Sequence, residues 1–167
     1  MTDIIKEMNW RYATKEFDPT KKVSEDDVNT LLECLRLSPS AFGLQPWEFV
    51  VVENQDLKEK LVPLSYNQAQ VAQSSHLIIL CTPTDFTEAN VEGFIDKTAK
   101  TQKVSRESLA EFEGQIKQTL GDKNMDDRLG WMDQQLFIAL GVLVTAAARL
   151  KIDACPMQGF FGPGYDI

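Results

Sequence analysis

One histidine and three widely separated cysteines leave this 167-residue chain with few of the usual catalytic and metal-binding materials. His76 stands immediately before an apolar strand and reads as a hydrogen-bonded structural residue rather than an acid or proton donor. Cys34, Cys81 and Cys155 show no metal-ligand spacing. Each lies in an apolar setting, so reduced core thiols and no metal are expected. No Gly-x-Gly-x-x-Gly follows a strand, which removes the case for a separate domain holding a dinucleotide tightly. Positive charge is scarce, with 17 Lys and Arg against 25 Asp and Glu and a formal charge of -8, so no nucleic acid and no anionic membrane surface is expected as a partner. The most apolar run, residues 136–150, is shorter than the roughly 20 residues that cross a bilayer. Residues 1–6 have neither a basic start nor a continuing apolar stretch, which makes the cytoplasm the expected location.

What remains is ordinary for a folded protein, at 43% hydrophobic residues, and the length suits one domain over 1–167. A short helix is expected over 4–10. Ser24, with Asp27 three residues on, caps a second helix that carries Val28, Leu31, Leu32 and Leu35 on one face and ends at Pro39. Trp47 to Glu53 and His76 to Cys81 read as covered strands, with helices over 56–64 and 67–75 between them. Val104 to Leu120 is helical, with Ser105 as a possible cap and Gly121 as a stop. After a polar connection, a long helix runs from Trp131 to Leu150. Apolar side chains cover nearly all its later faces, which suits a core or a large dimer interface. A third strand is expected near 151–155, followed by a Gly/Pro-rich loop. Alternating helices and strands indicate α/β or α+β architecture.

Against the acidic background, Arg11 and Lys15 are a local exception. Four residues apart in an arm near the start, they accompany a second segment, residues 38–47, that supplies hydroxyls, amides and aromatics in a turn between helix and strand. Together these look like parts of an anion-anchored cofactor site, although surface charge on an arm and a helix-end hydroxyl at Ser40 are the plainer readings of the separate pieces.

In order along the chain stand Arg11-Tyr-Ala-Thr-Lys15, Ser38-Pro-Ser-Ala41, Gln45-Pro-Trp47, Asn67, Ser75-His76 leading into Leu77-Ile-Ile-Leu80, Ala139-Leu-Gly141 and Pro156-Met-Gln-Gly-Phe160. This set resembles the oxygen-insensitive, FMN-dependent NAD(P)H nitroreductase family. The resemblance implies an α+β fold with a central, mostly antiparallel sheet flanked by helices and a long buried helix at the interface of a homodimer that shares two FMN molecules. It places Arg11, Tyr12, Ala13 and Lys15 at the FMN phosphate or the polar edge of the ring. Ser40, with Ala41, reaches the flavin held mainly by the partner, and Gln45 shapes that side. Asn67 bonds the pyrimidine edge. Pro156, Met157, Gln158 and Gly159 run along the ring, with backbone N–H near N5.

The implied reaction is ping-pong: NADH or NADPH, a transient donor, reduces FMN, which passes two electrons to a nitroaromatic or quinone, so no side chain is needed as a catalyst. Alternatives on the same fold are an ene-reductase, a dehalogenase or a non-catalytic flavin-binding or structural homologue. Ala13, Ala41 and Gln158 stand where members often have Ser, Ser and Glu, and Gln70 where some have Lys. Members also continue past the point where this sequence stops, with a Lys/Arg pair on the phosphate, so a shortened C-terminus is part of the expectation. Phe94 and Phe112 fall in the most variable region, which should set acceptor choice.

Overall fold

A computed structural model describes residues 2–165. Its elements in chain order are α1 (Asp3–Trp10), α2 (Glu25–Arg36), β1 (Glu48–Val52), α3 (Gln55–Leu64), α4 (Gln70–Gln73), β2 (Leu77–Cys81), α5 (Glu88–Gln102), α6 (Ala110–Gly121) and α7 (Met125–Arg149). Strands β1 and β2 pair as a two-stranded sheet. The chain divides into two compact units, one of residues 1–38, 49–80 and 139–167, the other of residues 39–48 and 81–138.

In the first unit, α2 starts as its sequence predicts. The Ser24 hydroxyl accepts the Asp27 N–H at 3.2 Å, and Val28, Leu31 and Leu35 turn inward. Such a cap contributes about 1 kcal/mol. Helix α3 starts from Asn54, whose side chain accepts the Leu57 N–H at 2.9 Å. Lys58 on α3 is fully buried, and its ammonium caps the carbonyls of Ser74 and Ser75 at 2.5 and 3.3 Å. The helix expected over 67–75 shrinks to α4. Tyr66 and Asn67 take left-handed φ values of 53° and 57°, which helices of L-residues reject, and Ser74 is extended.

The third strand is not formed as such. A left-handed Lys151, φ 61°, closes the end of α7, with Lys151 N–H on Ala148 O at 3.2 Å and Ile152 N–H on Ala147 O at 2.9 Å. Only Ala154 then remains extended beside the arm, as a single parallel bridge to Ala13. The Lys151 ammonium lies 4.8 Å from the centre of the Trp10 ring.

The second unit packs Leu44, Phe86, Val91, Ile95, Ile116, Leu120 and Met132 into one apolar cluster. Helix α5 was missed by hydrophobic pattern alone. Its signals were Thr87 and Asn90, which form a capping box, and the i, i+4, i+8 spacing of Val91, Ile95 and Ala99. The expected helix from 104 opens as a 3-10 turn, Arg106–Leu109, capped by Ser105, before α6 takes over. Helix α7 is longer than the apolar run suggested. At 25 residues and a mean hydropathy of 1.3 over its most apolar stretch, it is long enough to cross a membrane by composition. Met132, Gln135, Ala139, Ala147 and Ala148 are nevertheless buried in protein, whereas Phe137 and Ile138 are 52% and 43% exposed.

Candidate functional site

The arm after α1 is fixed from both ends. Arg11 N–H caps the helix on Glu7 O at 3.0 Å, and three residues on, Thr14 donates its N–H to Ala154 O and its hydroxyl to Asp153 Oδ1, both at 3.3 Å. Glu7 is itself buried and accepts Arg149 Nη1 at 2.6 Å, tying α1 to the end of α7. Between these anchors Arg11, Tyr12 and Pro156 line a shallow cleft, with Trp10, Val144, Ile152, Asp153 and Ala154 forming its other walls.

Arg11 is distinctive among the arginines. Arg36, Arg106 and Arg149 pair with carboxylates and Arg128 donates to the carbonyls of Phe86 and Leu120, but no acceptor faces Arg11 among the described residues. Lys15 is exposed and makes no ion pair among them either. Ala13 contributes its backbone, being bridged to Ala154.

The segment after Ala154 leads into Pro156–Gly159, where the N–H groups of Met157, Gln158 and Gly159 have no protein acceptor among the described residues. This loop is fastened to the turn that carries Asn67. Gln68 Nε2 donates to Gly159 O at 3.0 Å, Phe161 N–H to Leu64 O at 2.7 Å, and the hydroxyls of Ser65 and Tyr165 meet at 2.5 Å. Asn67 is exposed, its backbone held by Val62 O at 3.0 Å, and its side-chain amide has no partner among the described residues. The first unit thus brings together Arg11, Tyr12 and Pro156 around one cleft, bridges Ala13 to its wall at Ala154, and joins the 156–159 loop to the turn of Asn67.

Ser40, Ala41 and Gln45 lie in the second unit. Ser40 Oγ accepts the Gln45 N–H at 2.8 Å and keeps its own hydrogen for donation, while the Ala41 N–H goes to Gln135 Oε1 at 2.8 Å. The turn uses left-handed φ at Phe42, Gly43 and Gln45. Gly43 is the natural residue at φ 74°. Gln135 was not foreseen. Its signal was an amide on the otherwise apolar inward face of α7. Phe94 and Phe112 do meet, with ring centres 6.3 Å apart, and Phe42 joins Phe112 at 6.2 Å.

Residues 8–165 match the profile of the Nitroreductase family. The chain belongs to that family. A Staphylococcus haemolyticus protein assigned as an NAD(P)H nitroreductase is 45% identical over 161 residues, which are 94% of this chain and 74% of its own length. In fold, this nitroreductase-family chain is similar to a Bacillus subtilis protein assigned as the nitroreductase ydfN, with a TM-score of 0.88 and 20% identity over 98% of this chain and 79% of the other. It is similar as well to an Exiguobacterium sibiricum protein assigned as a nitroreductase and solved in complex with FMN, with a TM-score of 0.84 and 21% identity over all of this chain and 81% of the other. The expected nitroreductase-like α+β fold therefore holds.

The single histidine plays the supporting role its sequence position indicates. Its Nδ1 meets Ser75 Oγ at 2.9 Å and its Nε2 lies 3.5 Å from Glu53. None of the three cysteines forms a disulfide among the described residues, and each is half-buried rather than enclosed as expected. No cluster of metal-ligating side chains occurs among the described residues.

Proposed function

We propose that this chain binds FMN and uses NADH or NADPH to reduce nitroaromatics or quinones by two electrons. The observation that carries the reading is Arg11, a guanidinium without an acceptor among the described residues, in a cleft whose wall at Pro156 continues into three N–H groups likewise without one. Unpaired cationic and N–H donors of this kind suit a phosphate and an electron-rich ring edge. The residues fit FMN in this respect. The cleft is too shallow to enclose a small molecule by itself, which suits a site that a second subunit completes.

FMN, when bound, would supply two-electron chemistry between the nicotinamide donor and the acceptor in turn, and this chain's residues would hold and orient it. Arg11 and Lys15 hold the phosphate or the polar edge, with Tyr12 and Ala13 supplying the backbone between them. Asn67 offers both donor and acceptor to the pyrimidine edge. Pro156 leads into Met157, Gln158 and Gly159, whose N–H groups give the ring its backbone donors. Ser40, Ala41 and Gln45 serve the flavin of the partner subunit in a homodimer, which exposed Phe137 and Ile138 on α7 support. Phe42, Phe94 and Phe112 form the aromatic surface that selects the acceptor. The cytoplasm is the working location.

The test is FMN occupancy of the purified protein, by absorption and released-cofactor analysis, followed by anaerobic NADH or NADPH in the same cuvette. Bound FMN that bleaches and recovers colour with a nitroaromatic is the expected result. Absence of FMN after reconstitution overturns the reading.

A further inference from the structure

Gln68 and Gln70 form a relay between the two ends of the Pro156–Gly159 loop. Gln70 is 7% exposed, and its Nε2 donates to Gln68 Oε1 at 3.2 Å and reaches Cys155 Sγ at 4.0 Å. Gln68 Nε2 divides its two hydrogens between Gly159 O at 3.0 Å and Ser65 O at 3.1 Å. The relay therefore leaves the loop at Cys155 and returns to it at Gly159. Its direction is set by chemistry. Reversing the Gln68 amide would turn its oxygen against two carbonyl oxygens, and reversing Gln70 would set oxygen against oxygen. Gly159 also lies close to the turn, since a Cβ there would stand 3.5 Å from the Tyr66 ring and 3.7 Å from Gln68 Nε2.

We propose that Gln68, supported by Gln70, is a positioning residue that holds the N–H groups of Met157, Gln158 and Gly159 in the orientation in which they meet the flavin. The proposal rests on the FMN reading above. Donors fixed in advance favour the more electron-rich reduced ring over the oxidised one, because no reorganisation is needed when charge develops. Releasing Gly159 O frees the peptide that follows the last of these donors, and their preference for the reduced ring falls.

The test compares wild type with Gln68→Leu and Gln70→Leu, which break the same relay at different links. Without cofactor, backbone amide exchange is followed by NMR at Phe161, whose N–H closes the loop on Leu64 O, and, as a control, in α2. With FMN bound, the flavin midpoint potential and the separate kcat and KM for the nicotinamide donor are measured. The expected result is about tenfold faster exchange confined to the loop. The ratio of reduced to oxidised affinity should fall about tenfold, which is about 30 mV for two electrons, with kcat lowered and KM unchanged. A wild-type protein that takes up no FMN overturns the flavin reading and this inference with it. A wild-type protein that binds FMN, beside variants whose loop exchange and potential are unaltered, overturns this inference alone.

Discussion

Arg11 owes its position to hydrogen bonds on either side of it, at Glu7 O and at Ala154 O, rather than to any contact of its own charge. Its side chain can therefore be removed with little effect on the fold. Arg11→Ala is expected to weaken FMN binding by tenfold or more, in line with the loss of one charge-assisted contact of about 1.5–3 kcal/mol, while the melting temperature stays within a few degrees. Fluorescence titration with FMN beside a thermal melt checks both halves. Lys58 is the opposite case. Burial pushes its ammonium below the ordinary 10.5, and it remains because two carbonyls need a donor. Lys58→Met should cost about 2–4 kcal/mol in urea unfolding, since it strands those carbonyls in the interior. At this scale the sequence was legible where an unusual residue stands out locally, as with Arg11, a cation on an acidic background that lines the cleft. It was not legible for Gln68, Gln70 and Gln135, whose partners Gly159, Cys155 and Ala41 lie 91, 85 and 94 positions away. Nothing local to an amide announces such a partner.

Among the elements, α5 and α6 are joined by charge as well as by the core between them. Glu113 is 11% exposed at its side chain and meets Arg106 at 2.9 Å and Lys117 at 3.0 Å, while Lys117 reaches Glu92 at 2.6 Å. Hydrogen bonds, from Arg106 first and Lys117 second, hold the Glu113 carboxyl below its ordinary 4.5. A carboxyl lowered in the folded state binds fewer protons there than in the unfolded one. Its stabilisation is present in full above about pH 4.5 and is lost as the pH falls through the lower folded value. Thermal melts from pH 7 to pH 2 should show this loss, and Glu113→Gln should flatten the curve below pH 4.5. Helices with a polar cap and a regular apolar face, such as α2, were readable from sequence. The shortening of α4 and of the third strand was not, because left-handed φ at Tyr66, Asn67 and Lys151 is imposed on residues with no strong preference for it, Asn67 excepted.

For the whole molecule, the uncovered apolar side chains of α7 matter most. In the homodimer proposed above, Phe137→Asp and Ile138→Glu are each expected to shift the protein to monomer in light scattering and, with the partner's Ser40 and Gln45 motif withdrawn, to lower FMN retention. An unchanged dimer in both variants would exclude this face of α7 from the interface. The family and fold were legible because the motifs recur in fixed order from Arg11 to Phe160, whereas the two compact units were not, since each is assembled from segments distant in sequence. That assembly bears on how the protein is made. Ala13 finds its bridge only at Ala154, and Glu7 its ion pair only at Arg149, 142 positions later. At about 5–20 residues per second, the arm emerges roughly ten to thirty seconds before the segment that gives it shape. Local contacts such as the α5–α6 pair can form early, while these long-range closures come at the greatest entropic cost. The arm and its cleft thus take shape only once residue 154 has been made, and a nascent chain with its earlier helices in place would still lack the surface proposed above for the phosphate.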